Sequence, residues 1–210
     1  MEWSLEDVEQ TNLRYPNTFF IPNLKERKLQ KKGDLVRLHF VLEHPAEDDP
    51  RAERMWVEVT GKKRWSQTYT GILTNQPVYI KSLQIGDIIE FEPRHIARIL
   101  IPKDDPRWLE IGEQMAVVSN KCLEEGGCVR WLYREKPDRE EDSGWRLLEG
   151  TEDDEYNSNK SNISIVNVYA LLDKDPSLIT PLKGAFGTAF ERENSNSPWI
   201  EIKDWNGSSD

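Results

Sequence analysis

Two runs of alternating residues constrain this chain more than any other feature. Val36, Leu38, Phe40 and Leu42 occupy every second position of the stretch 35–43, with Arg37, His39 and Glu43 between them and Val41 the one interruption. Met55, Val57 and Val59 alternate with Trp56, Glu58 and Thr60 in the same way. A period of two belongs to a strand with one face in a core and the other toward water. The runs predict strands over 35–43 and 54–60 and exclude an all-helical chain. Shorter strands are expected at 68–74, 78–80 and 88–92, set apart by turn residues such as Asn75-Gln76-Pro77 and Gly86-Asp87. Gly33-Asp34 before Leu35 is echoed by Gly86-Asp87 before Ile88, which reads as shared turn chemistry rather than a duplicated domain. Short, evenly spaced strands of this kind suit a small, bent antiparallel sheet or partial barrel. Ahead of them, residues 1–22 read as an extended lead-in that packs Phe19 and Phe20. Asn23 is placed to cap a short helix over 24–30.

Ile101-Pro102-Lys103-Asp104-Asp105-Pro106 reads as a linker, because its prolines and charges disfavour regular structure. Beyond it, strands are expected at 115–119, 128–134 and 145–148, with acidic loops at 137–144 and 150–161. Asn167 is placed to cap a helix over 168–173, and Asp175-Pro176 to start another that Gly184 ends. Phe186, Phe190, Trp199 and Ile202 return the chain to the sheet, and the polar tail from Asn206 is expected to fray. The expected class is therefore α+β, in two small domains at 1–110 and 111–210. The first holds a bent antiparallel sheet or partial barrel with a short helix. The second holds an antiparallel sheet with two short helices.

Charge separates the two halves. The formal net charge is −10 over 210 residues. Residues 1–112 hold 17 Lys+Arg against 18 Asp+Glu, whereas residues 113–210 hold 11 against 20. An acidic unit repels nucleic acid and anionic membrane and attracts basic partners. No apolar run approaches the ~20 residues that cross a bilayer. The acidic start lacks the apolar core of a secretory signal, so a cytoplasmic location is expected, with Cys122 and Cys128 reduced.

Catalysis finds little support in the residues. His39, His44 and His95 all precede the linker and both thiols follow it, so no cysteine has a histidine base nearby in sequence. His95, in Arg94-His95-Ile96, is expected to cap local backbone. No phosphate-binding glycine loop, zinc-ligand spacing or serine-nucleophile elbow is present, and no cofactor or metal is expected. Asp138, Glu140, Asp142 and Glu149 do fall at the first, third, fifth and twelfth positions of a calcium loop. Ser143, however, stands where that loop requires glycine. The same acids suit a protein-binding surface better. Asp138, Glu140, Glu141 and Asp142 precede Trp145, and Glu152, Asp153, Asp154 and Glu155 precede Tyr156. Each cluster thus pairs negative charge with an aromatic anchor. The competing reading of these residues is a solvated connector with Trp145 in the core. A second class of function centres on the first domain, as a small-ligand- or RNA-binding protein or an enzyme. Its basic residues are Lys25, Arg27, Lys28, Lys31, Lys32 and Arg37.

A resemblance adds to this reading. Val117-Val118-Ser119, Tyr133-Arg134-Glu135, Asp142-Ser143-Gly144-Trp145-Arg146, the run from Gly150 to Tyr156, Asp175-Pro176-Ser177-Leu178-Ile179 and Gly187-Thr188-Ala189-Phe190-Glu191-Arg192 together resemble the bacterial immunity protein family 33. The first half resembles a second bacterial domain of unknown function, family 2314, through Gly33-Asp34-Leu35-Val36-Arg37-Leu38, Glu53-Arg54-Met55-Trp56-Val57-Glu58-Val59 and Gly86-Asp87-Ile88-Ile89-Glu90-Phe91. The first resemblance implies a small α+β domain that neutralises a toxin by direct binding, with another protein as partner and no catalytic residues. The basic toxin surface expected to meet it follows from the acidic charge.

Overall fold

The structure is a computed structural model and describes residues 2–16, 18–63 and 66–205. The chain divides into two compact units, one ending at Pro102 and the other beginning at Lys103. Leu109 belongs to the second: its backbone N–H and carbonyl both bond the Tyr169 hydroxyl, each at 3.1 Å.

The first unit is a curled antiparallel sheet. Its elements are β1 (Trp3–Leu5), α1 (Val8–Arg14), α2 (Leu24–Lys28), β2 (Leu35–Leu42), β3 (Ala52–Lys62), β4 (Tyr69–Leu73), β5 (Ile88–Phe91) and β6 (Ile96–Ile99). The strands run in the order β1-β2-β3-β4-β5, and β6 also pairs with β2. β1 meets β2 at Phe40–Leu42 and β6 meets it at Val36–Leu38, so together they cover one edge of the strand. The alternating residues behave as their period requires. Val36, Leu38, Phe40, Met55, Val57 and Val59 are buried together with Tyr69, Ile89 and Phe91. Each such side chain contributes about 1.5–3 kcal/mol through burial.

The structure corrects three expectations in this unit. The lead-in is not simply extended, because Asp7 accepts from the N–H groups of Glu9 and Gln10 and nucleates α1. β6 is an added strand. Residues 78–80 form no strand; their backbone N–H groups turn instead to the Glu53 carboxylate, at 3.1 Å from Tyr79 and 3.0 Å from Ile80, with Val78 a third donor. A side-chain acceptor thus takes the donors that a strand partner would have used.

The second unit contains β7 (Met115–Ser119), α3 (Asn120–Leu123), β8 (Trp131–Arg134), β9 (Asp142–Leu148), α4 (Asp154–Ser158), β10 (Ile163–Asn167), α5 (Val168–Lys174), β11 (Ala189–Glu191) and β12 (Ile200–Glu201). Its sheet runs β10-β7-β9-β8-β11-β12, antiparallel except for the parallel pair β7–β9. One sheet face carries Ala116, Val118, Leu132, Trp145, Leu147 and Val166, all buried. The buried residues of α5 and of the 3₁₀ turns Pro176–Ile179 and Pro181–Lys183 complete the core. Asn167 caps α5 through the N–H groups of Tyr169 and Ala170, and Asp175 caps the following turn, as their residue types predict. α3, α4 and β10 are elements beyond the expected set, and β9 begins earlier than expected. The expectation for the tail from Asn206 lies outside the described residues.

Candidate functional site

The acidic residues of the second unit fall into two groups at opposite ends of β9. Asp138, Glu140 and Glu141 are exposed just before the strand, and Asp142 is its first residue. Glu152 to Tyr156 follow its last residue. Seven residues at ~3.3 Å each separate the ends by about 20 Å. Asp142 and Glu149 therefore cannot share one calcium ion, whose oxygen ligands lie at about 2.3–2.6 Å. Among the described residues, no group of three or more His, Cys, Asp or Glu is arranged to hold a metal ion.

Asp142 is engaged within the fold. Arg146 donates from Nη1 to Oδ1 at 2.9 Å and from Nη2 to Oδ2 at 2.7 Å, while its Nε meets Glu135 at 2.6 Å. The Arg146 guanidinium, helped by the Gly144 N–H and offset in part by burial, holds the Asp142 carboxyl below the usual range. Gly144 permits this turn: its φ is +79°, and a Cβ there would lie 2.1 Å from the Glu135 carbonyl oxygen.

Trp145 is a correction to the expected anchor. It is 0 % exposed, with its ring near Phe190 and the Arg134 guanidinium. A ring held in the core offers nothing to a partner, so this residue serves packing.

The second group has a different construction. Glu152 accepts from the N–H groups of Glu149 at 2.8 Å and Gly150 at 2.7 Å. Burial pushes its carboxyl up, but bonds from Ser119 and from these backbone donors outweigh it and hold it below its ordinary value. Asp153 caps α4 through the Tyr156 N–H at 2.8 Å. Asp154 and Glu155 stand in the first turn of α4, exposed. Tyr156 is half-buried, with its hydroxyl 3.5 Å from Ser119 Oγ and Lys121 Nζ 4.5 Å from its ring centroid. The exposed acids are thus Asp138, Glu140, Glu141, Asp153, Asp154 and Glu155, while Asp142 and Glu152 shape the backbone that presents them.

In the first unit, the basic set of the RNA-binding reading is not a free patch. Arg27 is buried, bonding the carbonyls of Pro22 and Pro93 and the Glu9 carboxylate, each at 2.8 Å. His95 does cap local backbone, accepting from the Glu92 N–H at 3.0 Å. His39 is buried with Nδ1 2.6 Å from Glu6, and both thiols are free. Burial pushes the Cys122 thiol far up, which suits a packing role.

Divided at Pro102, the charge asymmetry is complete. The first unit holds 15 Lys+Arg and 15 Asp+Glu, and the second holds 13 and 23. Sequence reasoning missed Arg146 and Glu135, whose pairing across neighbouring strands has no local signal. It also missed Ile165, because β10 itself was not expected.

The second unit is a small α+β fold that carries ten more acidic than basic residues. Residues 116–203 of it match the family model of the Immunity protein Imm33 domain. The family's description as an immunity protein implies binding of a partner toxin protein. No curated protein and no solved structure matches the chain.

Proposed function

We propose that the second unit is a non-catalytic, cytoplasmic immunity module that neutralises a bacterial toxin by direct binding, presenting its acidic loops to a basic toxin surface. The observation that carries this reading is the coincidence of two boundaries: the stretch matched by the immunity family lies within the unit that holds the entire net charge. Clustered carboxylates speed encounter with a basic domain and select against acidic ones. Nucleases are a fitting class, because an acidic surface can occlude a cleft built for phosphates.

The test starts with the tagged full-length chain, expressed in its native cell and recovered with its bound proteins for mass spectrometry. The expected product is a complex with a protein that arrests growth when expressed alone and ceases to do so when the full chain is co-expressed. A complex that forms without protecting the cell overturns the neutralising role.

A further inference from the structure

Register places one row of side chains across the second sheet on the face opposite its core. Ile165 pairs with Val117, Val117 with Arg146, and Arg146 with Tyr133. Residues so paired share a face, and their neighbours Val166, Ala116, Trp145 and Leu132 are buried on the other. The row is apolar at the β10 edge, where Ile165 is 66 % exposed. On its far side, Trp205 lies against Tyr133 with ring centroids 5.0 Å apart. The more open part is therefore the half formed by β10, β7 and β9, where Ile165 stands in water, Val117 is half-buried and the Arg146 side chain is 16 % exposed.

Both acidic groups border this half. At one end, the Asp142 carboxylate lies on the side of Arg146 that it bonds, with Glu140 and Glu141 just before it. At the other, Tyr156 reaches Ser119, the next residue after Val117 with the same parity, and α4 carries Asp154 and Glu155. β10 itself, Ile-Ser-Ile-Val-Asn, is an edge strand with no charge and no proline. Edge strands usually carry such residues to discourage pairing with another chain.

The geometry points to this half-face, centred on Ile165 and Val117 and flanked by acids at both ends, as the surface that docks the toxin, with a toxin face that is apolar at its centre and rich in Lys and Arg around it. Charge decides between occupants. A second copy would bring another unit with ten more acidic than basic residues against the first, whereas a basic domain is attracted. This inference rests on the immunity reading and narrows it to one face.

The test uses the toxin identified as above, purified, as the probe for the full-length chain. Ile165→Asp places a charge at the centre of the face, at a position already mostly in water. Thr180→Asp adds the same charge in the exposed turn of the helical layer. Ile165→Thr serves as a second variant that keeps strand propensity. The expected result is affinity at least tenfold weaker for I165D, an intermediate loss for I165T, no change for T180D, and equal melting temperatures throughout. Unchanged toxin binding by both Ile165 variants overturns the docking face and leaves the immunity reading standing. Failure of the wild-type chain to bind any toxin removes the immunity reading and this inference with it. A wild-type dimer in sedimentation that I165D dissolves assigns the face to self-association and overturns the inference.

Discussion

Arg146 clasps Asp142 four residues earlier on the same strand through two parallel hydrogen bonds of 2.9 and 2.7 Å. Such a pair is shorter and stronger than neutral bonds, and both side chains are mostly buried, at 16 % and 24 % exposure. It locks the start of β9 and directs the preceding loop. The carboxyl is depressed below 3.8, first by the bond to Arg146. A depressed carboxyl contributes stability that is present above its unfolded value and lost as pH falls through the folded one. Asp142→Asn is therefore expected to cost about 2 kcal/mol at neutral pH. The gap from wild type should close in strong acid. Urea unfolding at a series of pH values checks this, and a pH-independent gap would contradict it.

Trp145 is a core residue, with no exposed surface. Trp145→Ala should cost about 3–5 kcal/mol and melt the second unit first. Trp145→Phe should cost much less, because it keeps most of the ring and removes an indole N–H that is buried without a partner among the described residues. In the folded W145F variant, toxin affinity should stay within twofold. A loss of affinity with an unchanged melting temperature would restore Trp145 as an anchor.

His39 should make the first unit sensitive to mild acid. Burial lowers its pKa below 6.5 in spite of Glu6. Below 6.5 the unfolded chain then binds more protons than the folded one, so stability falls as pH drops from 6.5 toward the depressed value. His95 is lowered too, first by burial, and acts with the same sign. Thermal melts between pH 7.5 and 5 should show the decline, and His39→Gln should flatten part of it. An identical slope in the H39Q variant would contradict the assignment.

Much of the fold was legible where one signal dominates locally. The alternating runs at 36–42 and 55–59 became β2 and β3 because each strand has one buried face. Asn23, Asn167 and Asp175 cap as their side chains dictate. What stayed hidden depends on partners distant in sequence. Residues 78–80 are taken from a strand by Glu53, 25 residues or more away in sequence. β10 is too short to stand out between the polar residues before it and Asn167 until β7 pairs with it. The acidic clusters were legible as charge, but β9 alone separates them into two ends. Trp145 reads equally as anchor or core from its neighbours, and only the packing of Phe190 and Arg134 decides.

Acidic docking is tested most sharply by the association rate with the toxin, measured against ionic strength for the full-length chain carrying Glu140→Lys, Glu141→Lys, Asp154→Lys and Glu155→Lys. Asp153 is kept because it caps α4, so the fold should hold and the melting temperature should confirm it. Association should be slowed at least tenfold at low salt, with a flattened salt dependence and a smaller change in dissociation. Wild-type association rates with the wild-type salt slope, in a folded variant, would contradict acidic docking.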